Sequence, residues 1–180
     1  MKTTILVILS MLFFACEKKA GEVQTSAPVA QNAGFVQTKN PYYSKTDTTA
    51  LKVTDAEWKK ILPSDVYHVA REKGTERAFT GKYWDYTGRG TYYCAVCGNT
   101  LFKSDAKFAS NCGWPSFFEP NRKNSMIYQP DKSHGMDRIE VLCGRCNSHL
   151  GHLFDDGPPP TGKRYCMNSI VLDFVPSINQ

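Results

Sequence analysis

Apolar positions fall into three regimes along this chain. Ile5 to Phe14 is apolar apart from Ser10, residues 17–50 carry few bulky apolar side chains, and from Val53 onward apolar residues recur at structured spacings. In Val53-Thr54-Asp55-Ala56-Glu57-Trp58, Thr54 and Glu57 form a capping box. Val53 and Trp58 sit at hydrophobic-staple spacing. The pattern predicts a helix running to about Leu62, stopped by Pro63. A second helix, capped by Ser64 or Asp65, carries Val66, Tyr67, Val69 and Ala70 and ends near Gly74. After Gly90 the period shortens. Tyr92-Tyr93, Thr100 to Phe102, Ile139 to Leu142 and residues 165–175 read as strands, with the turn-rich Asp156 to Gly162 as a rigid loop leading into the last. Helices in front of antiparallel strands predict an α+β or mainly β domain. There is no internal repeat beyond paired Cys-x-x-Cys units, no Gly-rich phosphate loop and no Ser-centred elbow.

The first regime reads as an address. Met1-Lys2 gives a positive start, and the apolar run is shorter than the about 20 residues that span a bilayer comfortably. A secretory signal over residues 1–15 fits it. Ala15-Cys16 followed by Glu17-Lys18-Lys19 resembles a bacterial lipobox, with cleavage before Cys16 and diacylation of its thiol. The competing reading is an ordinary signal with an incidental cysteine. Two acyl chains would hold the protein stably on a membrane, which places it in a bacterial cell envelope. Residues 16–50 buries too little to fold alone and reads as a tether. As a random coil of roughly 34 residues it reaches on the order of 30–35 Å. The domain proper then spans 51–176, with 177–180 as a tail.

Composition adds two points. At 41% hydrophobic and 12% aromatic residues the domain can build a core. The net charge of +5 is spread among interleaved acids, so no basic stripe offers a phosphate track and nucleic acid is not an expected partner.

The seven cysteines carry the chemistry. Cys94-Ala-Val-Cys97-Gly98 and Cys143-Gly-Arg-Cys146-Asn147 are matching knuckles. Two intervening residues let one turn aim both thiolates at a single ion, and zinc takes four such ligands tetrahedrally. Gly98 and Asn147 follow each pair, and both residue types readily adopt φ > 0. The 45 residues between the knuckles imply one structural Zn²⁺ that closes a large loop. Disulfides, or a redox role for one pair, are the competing readings. His149-Leu-Gly-His152, a loop beside the second knuckle, could supply ligands too, but that would strand Cys94 and Cys97.

Cys166 lies in Lys163-Arg-Tyr-Cys-Met-Asn-Ser169. On a strand, Arg164, Cys166 and Asn168 share a face, and a cation beside a thiol favours its thiolate, the form that attacks. The alternative is a small buried hydrophobe. Cys112, in Asn111-Cys112-Gly113-Trp114-Pro115, sits on a turn, exposed and free to travel to another sulfur. Trp114 beside it offers a flat apolar surface, or else packs in the core.

Together these motifs resemble the peptide-methionine (R)-sulfoxide reductases, the B type, from about Lys52 to Phe174. The matches are Tyr93-Cys-Ala-Val-Cys-Gly98, Cys112-Gly-Trp-Pro-Ser-Phe117, Gly135-Met-Asp-Arg-Ile-Glu-Val141, His149-Leu-Gly-His152, Asp156-Gly-Pro158, Pro160-Thr-Gly162 and Arg164-Tyr-Cys-Met-Asn-Ser169. One departure is Asn111, where the family usually has Gly. The resemblance implies a mainly β fold of two antiparallel sheets with short N-terminal helices and a remote structural zinc. It implies Cys166 as nucleophile, Cys112 as resolving thiol, and His149, His152 and Asn168 as active-site polar groups. Trp114 would receive the substrate's methyl group, with Arg164 and Asp156 in support. Proteins carrying methionine sulfoxide would be the substrate, and a thioredoxin-like dithiol the electron donor.

Two rivals stand beside it. A zinc-ribbon binding module explains the knuckles but leaves Cys112, Cys166 and the histidines without work. A disulfide-exchange protein would want a close redox pair at a helix start, whereas these two cysteines are far apart in sequence.

Overall fold

A computed structural model describes residues 40–178 of the chain. The signal segment, Cys16, most of the tether and the end of the tail lie outside the described residues. Among the described residues no helix is long and apolar enough to cross a membrane.

Helix α1 (Asp55–Ile61) begins where its capping residues predict, with the Thr54 side chain accepting from the Glu57 N–H. Trp58 on its inner face is buried against the core. Helix α2 (Ser64–Glu72) differs from expectation at both ends. Pro63 is its N-cap, with no side-chain cap bond, because Pro63 fixes the entry backbone itself. At the other end Lys73, not Gly74, takes the left-handed conformation at φ 59°. Gly74 follows, its N–H donating to the His68 carbonyl at 3.0 Å.

Among the described residues nine strands form two antiparallel sheets, as the family resemblance implied. The smaller is ordered β2 (Thr100–Lys103), β1 (Gly90–Cys94), β9 (Leu172–Pro176). The larger runs β3 (Lys107–Phe108), β4 (Ser116–Phe117), β8 (Arg164–Met167), β7 (His149–Phe154), β6 (Arg138–Cys143), β5 (Met126–Asp131). The long final run therefore breaks into two strands on different sheets, separated by a 3-10 turn at Ser169–Val171. Aromatic rings join the sheets: Phe102 of β2 stacks on Phe117 of β4 with centroids 4.0 Å apart, and Tyr92 of β1 meets Phe117 edge-on at 5.0 Å. β5 carries Pro130 inside a strand, tolerated because β5 is the sheet edge.

The end of the expected tether belongs to the fold. Asn40 is buried and its Nδ2 donates to the Val96 carbonyl at 2.7 Å, while Tyr42 packs edge-on against Trp58. Arg145, buried between the cysteines of the second knuckle, donates to the carbonyls of Tyr42 and Cys97 and to the Asp47 carboxylate. Residues 40–50 thus satisfy backbone groups that the knuckles leave open. Their polar composition hid this, since hydrogen bonds make most of the attachment and Tyr42 adds an aromatic contact to the core.

Candidate active site and metal centre

Strand register lays the reactive groups in one row. Ser116 of β4 pairs with Cys166 of β8, Cys166 with His152 of β7, and His152 with Glu140 of β6. Directly paired residues share a face of the sheet with Cβ atoms about 5 Å apart, so a nucleophile, an imidazole and a carboxylate fall into line. His149 and His152 lie on this central strand, not on the loop expected beside the knuckle. His-Leu-Gly-His has little strand propensity, but pairing with β6 and β8 on either side overrides it.

Cys112 sits on the turn before β4, with Gly113 at φ 89° supplying the left-handed residue, so Asn111 takes an ordinary conformation and its departure from Gly is harmless. Cys112 is half-buried rather than exposed. Its Sγ lies 3.5 Å from Cys166 Sγ, 3.0 Å from Ser110 Oγ and 3.4 Å from Ser116 Oγ. A disulfide of about 2.0 Å needs only a small approach, not the travel foreseen for a turn cysteine. Two thiols this close share a proton. The S–H of Cys166 pulls the Cys112 thiol down to about 4, helped by the two serine hydroxyls and opposed by burial. That same contact, with burial, pushes Cys166 up against the pull of Arg164. The two sulfurs therefore titrate as one pair, with Arg164 on the Cys166 side and the serine hydroxyls on the Cys112 side.

Cys166, Trp114, His152, Phe154, Asn168 and Arg138 line a cleft of about 110 Å³. Asn168 has left the strand and turned inward: its Oδ1 accepts from the Glu76 N–H at 3.1 Å and its Nδ2 donates to the Leu150 carbonyl at 3.1 Å. Arg164 stays beside Cys166 on β8, held by Asp156 through two bonds of 2.8 Å and lying 4.3 Å over the Phe154 ring. Asp156 is exposed and meets the site through its bonds to Arg164.

Both imidazoles are backed by carboxylates that the sequence reading missed. His149 Nδ1 lies 2.8 Å from Glu140 Oε1, and Lys73 Nζ holds the other Glu140 oxygen at 2.7 Å. His152 Nε2 lies 2.7 Å from Asp131 Oδ2, which Arg138 also binds at 2.7 Å. Carboxylates only accept, so each histidine places its N–H on that side and leaves the other nitrogen as an acceptor. His149 Nε2 has no protein partner. Burial lowers the pKa of both rings despite their acidic neighbours. Neutral rings are thus the resting form. Glu140 was hidden because strand alternation through Ile139 and Val141 assigns it to solvent, whereas it is 2% exposed.

The four knuckle cysteines converge away from this cleft. All are buried, with their sulfurs within 4.8 Å of one another. Cys94 and Cys146 sulfurs are 3.7 Å apart, and Cys97 and Cys143 sulfurs 3.6 Å. A tetrahedral ion with sulfurs at about 2.3 Å has edges of roughly 3.8 Å, so the donor set fits zinc. Gly98 and Asn147 both take positive φ, at 79° and 58°, as the knuckle turns require. Burial pushes the Cys94 and Cys146 thiols up, so the cage cannot hold four thiolates unaided. A divalent cation would supply the missing charge. Neither histidine belongs to the cage.

Comparison with known proteins agrees with this arrangement. The family model of the SelR domain matches residues 62–176. A peptide methionine sulfoxide reductase MsrB of Thiobacillus denitrificans is 57% identical over 123 residues, covering 68% of this chain and 93% of that protein. Its namesake in Agrobacterium fabrum is 50% identical over 133 residues, covering 73% and 98%. One from Methanosarcina barkeri is 52% identical over 125 residues, covering 69% and 88%.

Proposed function

The chain belongs to the MsrB family of peptide methionine sulfoxide reductases, and from that premise we propose that it reduces the R epimer of protein methionine sulfoxide by thiol chemistry at Cys166. The observation that carries this reading is the row Ser116, Cys166, His152 and Glu140, with Cys112 Sγ 3.5 Å from Cys166 Sγ.

The sulfoxide side chain enters the cleft with its methyl against Trp114 and its oxygen towards His152 and Asn168. Cys166, as the thiolate that the Arg164 guanidinium beside it favours, attacks the methionine sulfur. The oxygen takes a proton delivered through the histidine pair and ends on Cys166 as a sulfenic acid, while methionine leaves as the thioether. The methionine sulfur gains two electrons and the Cys166 sulfur loses them. Positioned proton donation of this kind contributes about 10²–10⁴-fold. Because each ring's resting N–H faces a carboxylate, the donor must first pick up a second proton. Glu140 and Asp131 support that imidazolium.

Cys112 then attacks the Cys166 sulfenic sulfur. The S–S bond forms, the S–O bond breaks, and the departing hydroxide leaves as water with the Cys112 proton. An external thioredoxin-like dithiol reopens the disulfide by exchange and is itself oxidised. A zinc ion on Cys94, Cys97, Cys143 and Cys146 would tie the ends of β1 and β6 together and take no part in these steps.

The test is to mix reduced protein with each epimer of methionine sulfoxide and a small dithiol. Methionine release from the R epimer alone is expected. Equal release from both would remove the epimer assignment, and none from either, with small disulfides consumed instead, would favour a thiol exchanger.

The cell-envelope part of the proposal rests on Ala15-Cys16 after the apolar run. A Cys16→Ser chain should stay unprocessed and lose its lipid. If it is processed and membrane-bound like the parent, the anchor is elsewhere.

A further inference from the structure

No motif draws attention to Glu76, in the loop after α2, yet it bonds to two residues that line the cleft, Trp114 and Asn168. Its carboxylate spans two consecutive amides, accepting from the Ser169 N–H at 2.6 Å and the Ile170 N–H at 3.0 Å. Its own N–H donates to Asn168 Oδ1 at 3.1 Å, and its carbonyl accepts the Trp114 indole N–H at 3.2 Å. Gly81 closes over it, since a Cβ there would stand 2.5 Å from Glu76 Oε1.

The consequence follows from donor and acceptor counting. Asn168 faces a donor at Oδ1 and a carbonyl at Nδ2, which fixes its amide orientation. One Nδ2 hydrogen is left over for the cleft. The indole of Trp114 has a single N–H, and Glu76 holds it. One short segment therefore sets both the apolar wall and the amide donor, and the Glu76 side chain anchors that segment through two charge-assisted bonds.

We propose that Glu76 is a positioning residue that sets substrate affinity and epimer selectivity, by holding Trp114 and Asn168 in fixed relation. This rests on reading the cleft as the methionine sulfoxide site. Without the carboxylate, residues 75–77 lose their tie to 169–170, and both walls shift with the backbone that holds them.

The experiment compares the full chain with Glu76→Ala and Glu76→Gln, using both epimers and a small dithiol. Misplacement by about 1 Å can cost 10²-fold, so Glu76→Ala should raise KM for the preferred epimer and shrink the epimer ratio in kcat/KM by roughly 10- to 100-fold. The maximal rate should change less. Glu76→Gln keeps one acceptor and turns a donor towards the second amide, so it should fall between. Emission assigned to Trp114, taken as the difference from a Trp114→Phe chain, should move to longer wavelength as its N–H loses a fixed partner. If Glu76→Ala does not fold, the epimer ratio of Glu76→Gln decides. A wild-type ratio and KM in the variants, with kcat and melting point falling together, would make Glu76 merely structural and overturn the proposal. A parent chain that reduces neither epimer would sink the reading of the cleft as well.

Discussion

Replacing Cys166 by serine is expected to lower sulfoxide reduction on the order of 10⁴-fold or more while leaving the fold intact. Serine is nearly isosteric, and Cys166 is only partly buried, so little packing is lost. What disappears is the one thiol that lines the cleft among the described residues. Cys112, although its sulfur is 3.5 Å from that of Cys166, stands outside the lining and cannot substitute. Its own replacement by serine has a different signature. The variant should still release about one methionine per chain in the absence of recycling, because Cys166 remains. With a dithiol partner it should recycle poorly, its sulfenic acid having no internal thiol to close on. Peptide mapping of the spent parent enzyme should find a bridge between Cys112 and Cys166. Full turnover by the Cys166→Ser chain, or a spent enzyme bridged elsewhere, would end this mechanism.

How much of this was legible beforehand depended on the range of the interaction involved. Local rules worked where the structure is local. The capping pair Thr54 and Glu57 begins α1, and the two Cys-x-x-Cys turns carry their positive φ at Gly98 and Asn147. The four sulfurs meet as their spacing required. Strand assignment failed where pairing across the sheet outweighs propensity. His149–Phe154 is a central strand despite its histidines and glycine, and Met126–Asp131 an edge strand despite Pro130.

The supporting groups were harder still. Asp131, Glu140 and Glu76 act on residues 21, 9 and 92–94 positions away. Nothing in the local pattern marks an acid that is held in place by a histidine or amide far along the chain. The only available hint was Glu140 among apolar neighbours, and alternation pointed it the wrong way. A similar distance hid the attachment of residues 40–50, whose partners are the carbonyls and arginine of the knuckles.

The second large effect concerns the cage. Cys94 ends β1 in the smaller sheet and Cys143 ends β6 in the larger, so an ion there would clamp one sheet to the other. Structural zinc contributes about 10 kcal/mol or more to folding in small domains, against a typical net stability of about 5–15 kcal/mol. Stripping the ion, or making Cys143→Ser, should therefore lower the melting midpoint by about 20 °C or more, or abolish cooperative unfolding. Activity should fall with it, because the second knuckle leads directly into the strand that carries His149 and His152. His149→Ala should behave oppositely, losing rate but keeping full zinc content, since His149 stands outside the cage. The contrast with Cys166→Ser separates stability from chemistry within one set of variants. A chain freed of metal, with all four knuckle thiols open to titration, that still melts where the loaded chain does would show that hydrogen bonds and apolar burial hold the two sheets together by themselves.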